Sequence, residues 1–193
     1  MPNILKTMLS VVVPFAFFSM GAAASAEESA ESKIARAVSA APASISAKAT
    51  VLDMDGTMLR AGSNGWTCIP GIPLIAGNSN PMCNDGVWMD WIDAAKRGEE
   101  FSGDQMGVSY MLQGDAMVSN SDPSATDPNN GDVWVQEGPH LMLLLPRDAM
   151  STLPRDPYNG GPYVMWGDTP MIHVMVPLGG KGGGMPHMTS MKK

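Results

Sequence analysis

Each of the three histidines in this chain has a methionine within two positions: His140 with Met142, His173 with Met171 and Met175, and His187 with Met185 and Met188. Residues two apart on a strand share a face. A strand over Met171 to Val176 therefore presents Met171, His173 and Met175 together. Imidazole plus thioether is a soft ligand set that suits Cu(I). Met185-Pro186-His187-Met188, with Met191 beyond, offers the same ligand types near the C-terminus without needing a fold. The candidate metal ligands are thus Met171, His173, Met175, Met185, His187 and Met188, and copper is the cofactor they would take. The competing account is packing: methionine fills irregular cores well, and 18 methionines in 193 residues leave many for that role.

Carboxylates form the second set. Val51-Leu52-Asp53-Met54-Asp55-Gly56-Thr57 is an apolar run followed by D-x-D-G-T. It resembles the first motif of haloacid dehalogenase-like phosphatases, and the resemblance implies Asp53 as nucleophile, Asp55 as acid/base and magnesium between them. The family also needs a lysine and a later acidic cluster. Gly114-Asp115, Gly131-Asp132 and Gly167-Asp168 begin like that cluster. The same residues also read as a hairpin, with Asp55-Gly56 in a type I′ turn that needs positive φ at both positions. Asp115, Asp122, Asp127 and Asp132, with Asn120, Asn129 and Asn130, are hard oxygen ligands of the kind calcium takes, without the EF-hand spacing. Their Asp-Pro and Asn-Asn-Gly steps are also ordinary turn chemistry. No G-x-S-x-G, H-E-x-x-H or phosphate-cradling glycine pattern is present.

Cys68 and Cys83 are the only cysteines. Lys6, the apolar run from Met8 to Met20 and Ala24-Ser25-Ala26 have the pattern of a secretory signal peptide over residues 1–26. Export carries the two cysteines into an oxidising compartment. Pro70, Gly71, Pro73, Gly77 and Pro81 let the segment between them turn back. A Cys68–Cys83 disulfide is expected, and closing a loop of that size is worth about 3 kcal/mol in the chain-entropy model. The apolar run is short of the roughly 20 residues a span requires, and no second long apolar run follows it, so no integral membrane segment is expected in the mature chain. The formal charge is −7 and no basic face is visible, which argues against a nucleic-acid partner.

The elements that must position these groups are mostly strands. Apolar pieces fall at 49–53, 57–61, 66–69, 107–113, 133–135, 140–145, 163–166 and 171–176, separated by Gly, Pro and Asn turns. His140 to Leu145 is apolar on both faces, the mark of a buried central strand. Asn84 or Asp85 caps a helix over Val87 to Lys96 whose stripe is Val87, Trp88, Trp91, Ile92 and Ala95, with Gly98 ending it. Gly114 to Asp132 reads as a long surface loop. Strands do not alternate with helices of crossover length. The fold class is therefore α+β: a compact β-rich domain of mainly antiparallel strands with one well-defined helix. Residues 27–47 form an Ala/Ser-rich leader or short helix, 48–178 the single domain, and 179–193 a Gly/Met-rich flexible tail.

Ser39-Ala40-Ala41-Pro42, Ala49-Thr50-Val51, Gly62-Ser63-Asn64-Gly65-Trp66-Thr67-Cys68, Pro81-Met82-Cys83, Gly138-Pro139-His140-Leu141-Met142 and Gly160-Gly161-Pro162-Tyr163-Val164-Met165-Trp166 resemble a group of uncharacterised secreted bacterial proteins. The resemblance implies secretion and a single domain, and carries over no functional residue. The expected function is a secreted or periplasmic, non-catalytic binding or interaction module for a small ligand or an envelope protein, with soft metal as its most concrete form. The alternatives are a phosphatase using Asp53 and Asp55, or a structural envelope protein without a site.

Overall fold

The computed structural model describes residues 28–75, 77–101 and 103–180. The expected signal peptide (1–26) and the tail candidates Met185, His187 and Met188 lie outside the described residues. In chain order the elements are α1 (Ala30–Val38), α2 (Ala43–Ser46), β1 (Thr50–Leu52), β2 (Met58–Arg60), β3 (Thr67–Ile69), β4 (Met82–Asn84), α3 (Gly86–Lys96), β5 (Gly107–Met111), β6 (Val118–Ser119), β7 (Trp134–Val135), β8 (His140–Leu144), α4 (Arg147–Ser151), β9 (Tyr163–Met165) and β10 (His173–Pro177). Eight strands make one sheet in the order β2-β1-β3-β4-β5-β8-β10-β9, and β6 pairs with β7 separately. Among the described residues β1–β3 is the one parallel pair, and the other pairs are antiparallel. The α+β, mainly antiparallel class expected from the turn spacing is the one observed, and β8 is central, between β5 and β10.

Strand alternation sorts the side chains onto two faces. Registers Val51↔Cys68, Cys68↔Cys83, Cys83↔Tyr110, Tyr110↔Leu141, Leu143↔Val174 and Val174↔Val164 run across one of them. α1 covers one half of that face, burying Ala37 with Val51, Cys68 and Cys83, and Met150 of α4 closes the other half over Val164 and Val174. The opposite face carries Met82, Met111, Met142, Met165 and Met175 against Trp88, Trp91 and Ile92 of α3. α3 starts where Asp85 accepts the Trp88 amide at 2.8 Å; its other oxygen accepts the Val108 amide at 2.7 Å and ties the helix to β5. It ends at Gly98, whose φ of +68° is open to glycine without strain.

Three expectations change in detail, and of the leader or short helix expected over residues 27–47 the helix is the one present: Ser29 caps α1, and Ala37, Ala40 and Ala41 are buried. Small alanines let the helix sit close to the disulfide. The 53–57 turn is not type I′, since among the described residues Trp166 is the one non-glycine with positive φ. Instead Gly56 N–H donates to Asp53 O (3.0 Å) and Asp53 N–H to Thr57 O (2.8 Å), a tight turn completed by left-handed Gly56. The 114–132 segment is not wholly surface loop, because it contains β6 and buries Asp115 and Ser119. β10 starts at His173, not Met171: Thr169 Oγ1 takes the Met171 amide at 3.0 Å and keeps it out of the ladder.

Cys68 and Cys83 are bonded, stand directly opposite one another, and are fully buried with Cα atoms 4.0 Å apart. The double substitution Cys68→Ala/Cys83→Ala is expected to lower unfolding free energy by about 2–3 kcal/mol, measured by urea unfolding. An unchanged midpoint would show that β3–β4 pairing alone fixes this part of the sheet.

Candidate functional site

His173 is the best-defined group on the methionine-rich face. β10 aims it at α3, where its ring lies 5.8 Å from Trp88 and 5.8 Å from Trp91, near-perpendicular to both. Trp166 closes the third side at 5.0 Å. Trp166 holds φ at +54°, a conformation costing an L-residue roughly 1–2 kcal/mol. Its amide donates to Asn120 O (2.9 Å) and its indole N–H to Ser119 O (2.8 Å), and these bonds hold the strained residue in place. Trp88 and Trp91 also touch, with centroids 5.0 Å apart.

The tautomer of His173 is set by its partner. Nδ1 lies 2.9 Å from the Met171 carbonyl oxygen. A carbonyl only accepts, so Nδ1 carries the proton. Burial holds the His173 pKa down to about 4; the Met171 hydrogen bond opposes this, and His140 adds to the lowering. The ring is therefore neutral near pH 7, with a lone pair on Nε2. His140 repeats the local motif: its Nδ1 lies 2.7 Å from the carbonyl of Gly138, also two residues before it in the chain. Met165 stands opposite His173, Met111 and Pro177 stand opposite His140 on its two sides, and Met142↔Met175 lies between.

Between α3 and the sheet is a cavity of about 30 Å3, lined by Trp88, Trp91, Trp166, His173, Asp115, Met82, Met142 and Met165, and by Ile72 to Ile75 of the segment between the cysteines. Its walls are almost wholly apolar. Asp115 is buried there, and desolvation raises its pKa to about 6 against the lowering bond from the Ala116 amide, with Glu137 adding to the rise. Glu137 is buried too. Its backbone oxygen accepts the Asp115 amide at 2.9 Å, and its Oε1 accepts the Tyr163 hydroxyl at 2.9 Å. Burial, then Glu137, pushes the Tyr163 phenol pKa up. Asn80 Nδ2 donates to Gly114 O at 3.4 Å, linking the segment between the cysteines to the loop bearing Asp115.

Of the expected metal ligands, His173 reaches this cavity. Met175 shares its face in the surrounding core, and Met171 is half-buried against the same core while supplying the carbonyl that orients His173. Met82, Met142, Met165 and Asp115 also line the cavity; of these, Met82 and Met165 carry no ligand signal in the spacing of residues along the chain. Strand alternation is the signal that could have found Met142 and Met165, but bringing them together needed the register. Among the described residues, no three His, Cys, Asp or Glu side chains converge on a metal-sized site.

The other expected sites are occupied locally. Asp53 comes directly after β1, which is parallel to β3 but turns into a hairpin rather than a crossover helix. Its Oδ2 pairs with Lys33 Nζ at 2.7 Å and its Oδ1 accepts the Met54 amide at 2.8 Å. Asp55 accepts the Thr57 amide at 2.8 Å, which, with the Thr57 hydroxyl, holds its carboxyl below the usual range. Asp122, Asp127 and Asp132 bond within their own turns, to Ser124, Asn129 and Asn130, Asp132 also accepts the Ser119 hydroxyl from β6, and Asp115 lies apart from them in the core. Among the described residues, no helix is long and apolar enough to cross a membrane. Comparison with protein families, with characterised proteins and with solved structures finds no match for this chain.

Proposed function

We propose that this protein is an exported, non-catalytic binding module whose site is the cavity between α3 and the sheet. The observation that carries the reading is His173: a neutral, fully buried imidazole with its proton side anchored on Met171, enclosed by three indoles at the wall of a cavity. A core built only for stability has no use for a buried imidazole and a buried carboxyl beside an apolar space, since each must be desolvated. Strain at Trp166 supports the same reading, because such strain concentrates where a side chain must be aimed. The signal-peptide pattern and the buried disulfide support an extracytoplasmic location. The occupied carboxylates of Asp53 and Asp55 speak for a turn rather than phosphoryl transfer.

The test is native mass spectrometry of the exported full-length gene product. The expected spectrum shows one small guest per chain, lost when Val118→Phe fills the cavity wall. A wild-type chain of bare mass, or a guest retained unchanged by the Val118→Phe variant, overturns the reading. So does magnesium-dependent hydrolysis of p-nitrophenyl phosphate that Asp53→Asn abolishes.

A further inference from the structure

A second hollow opens at the end of the sheet where β8 finishes and β10 begins. It encloses about 490 Å3, within the roughly 300–1,000 Å3 of pockets that take small organic ligands. The α3–β5 connection, the β8–α4 junction and the turn before β10 build it, so it exists only in the folded chain. Trp91, Phe101 and Leu145 give it apolar walls, and its charged groups are Glu100, Asp104, Arg147 and Asp148. Arg147 Nη1 pairs with Glu100 at 3.0 Å and its Nη2 donates to Thr169 O at 3.2 Å. The cation of this groove is therefore already held. Among the described residues, the carboxylates of Asp104 and Asp148 make no ion pair and accept no hydrogen bond. We infer that the groove binds a small organic cation, an amine or quaternary ammonium with an apolar body.

Charge complementarity selects the sign of the ligand. An anion would meet Asp104 and Asp148 and would have to take Arg147 from both of its partners. The adjoining hollow shares Glu100 and Phe101 and adds Asp90, Asp93 and Glu99, with Arg97 there paired to Glu99 at 2.7 Å. The formal charge of the chain is −7, so the wider field also draws cations. A bare metal ion fits poorly. Hard cations need several converging oxygens, and among the described residues no three His, Cys, Asp or Glu side chains converge on a metal-sized site. An organic cation meets both halves of the groove. Its apolar body covers Trp91, Phe101 and Leu145, the two rings attract its charge, and the two carboxylates balance it. Asp104 and Asp148 are exposed, so the pairing avoids the desolvation penalty of a buried ion pair. None of these observations depends on the cavity beside His173.

The experiment is isothermal titration of the full chain at pH 7 with two probes, 2-phenylethylamine and hexyltrimethylammonium. One molecule of either per chain is expected, with affinity falling as salt is added. The neutral isostere 2-phenylethanol is expected to bind about tenfold more weakly, and the anion 3-phenylpropionate not at all. Asp104→Asn/Asp148→Asn is expected to weaken the cations about tenfold and to melt as wild type, because both side chains are exposed and unbonded. Val118→Phe is expected to bind as wild type, since Val118 lines the other cavity. Absence of binding by both cations at millimolar concentration overturns the inference. So does equal affinity for 2-phenylethanol, or full affinity in the folded Asp104→Asn/Asp148→Asn variant. Loss of binding in a folded Val118→Phe chain also overturns it, because it places the cation beside His173. A bare chain in the native spectrum, with these titrations as expected, would remove the cavity reading and leave this one standing.

Discussion

Trp166→Ala is expected to lower the unfolding free energy by about 4 kcal/mol, the middle of the range for truncating a buried aromatic. The indole is 7% exposed, packs against His173 and donates to Ser119 O at 2.8 Å, so the substitution opens a cavity and orphans a carbonyl together. Alanine keeps the backbone strain, because its Cβ meets the same obstacle at φ +54°. Trp166→Gly removes that strain and is therefore expected to be no less stable than Trp166→Ala, despite glycine's greater entropy loss on folding. Urea midpoints of the two variants measure this. If the glycine variant were clearly the weaker, the strain assigned to Trp166 would not exist in solution.

The second large effect appears only when one of two opposing titrations is removed. His173 has a folded-state pKa of about 4 against 6.5 unfolded. Between those values the unfolded chain binds the extra proton, so this group's stabilisation is full above pH 6.5 and is lost as pH falls towards 4. Asp115 has a folded-state pKa of about 6 against 3.8 unfolded. Between those values the folded chain binds the extra proton, so this group destabilises progressively as pH rises from 4 to 6. Each shift of two or more units corresponds to about 3 kcal/mol. The signs oppose, and in the wild type the two offset one another over pH 4–6. Asp115→Asn is expected to expose the histidine, losing about 3 kcal/mol more than wild type on acidification from pH 7 to 4. His173→Phe is expected to change with the opposite sign. Exposed Asp55, Asp132 and Asp168, whose carboxyls are held low by their hydrogen bonds, also lose stabilisation in acid, but equally in every variant. Glu137 beside Asp115 and His140 beside His173 are retained throughout. Parallel stability profiles for wild type and Asp115→Asn would rule out opposing titrations at this site.

Legibility tracked the range of the interaction. α3 was readable because its cap, apolar stripe and terminating glycine act within a few residues: Asp85, Trp88, Trp91, Ile92 and Gly98 all hold the places expected for them. β8 was readable because a strand covered on both sides is apolar on both faces. The disulfide was readable because a cysteine count of two leaves one intramolecular pairing. α1 was only half readable. Its alanines carry little hydrophobic signal, and their fit to Cys68 and Cys83 depends on close approach. β4 and β6 were not readable because they are three and two residues long and take their order from neighbouring strands.

The sequence by itself determined the α+β class, the single disulfide and helix α3, because composition, periodicity and local capping specify these along the chain. Tertiary structure alone decided which groups meet. Asp115, a loop residue by its local sequence, is buried beside His173, and Asp53 and Asp55, catalytic by their motif, are held by Lys33 and by their own turn. Met82, Met142 and Met165 come from three strands far apart in sequence and reach one cavity through the order and register of the sheet. The physical reason is that register is a long-range quantity: it is set by simultaneous burial against α3, and no local run of residues encodes it.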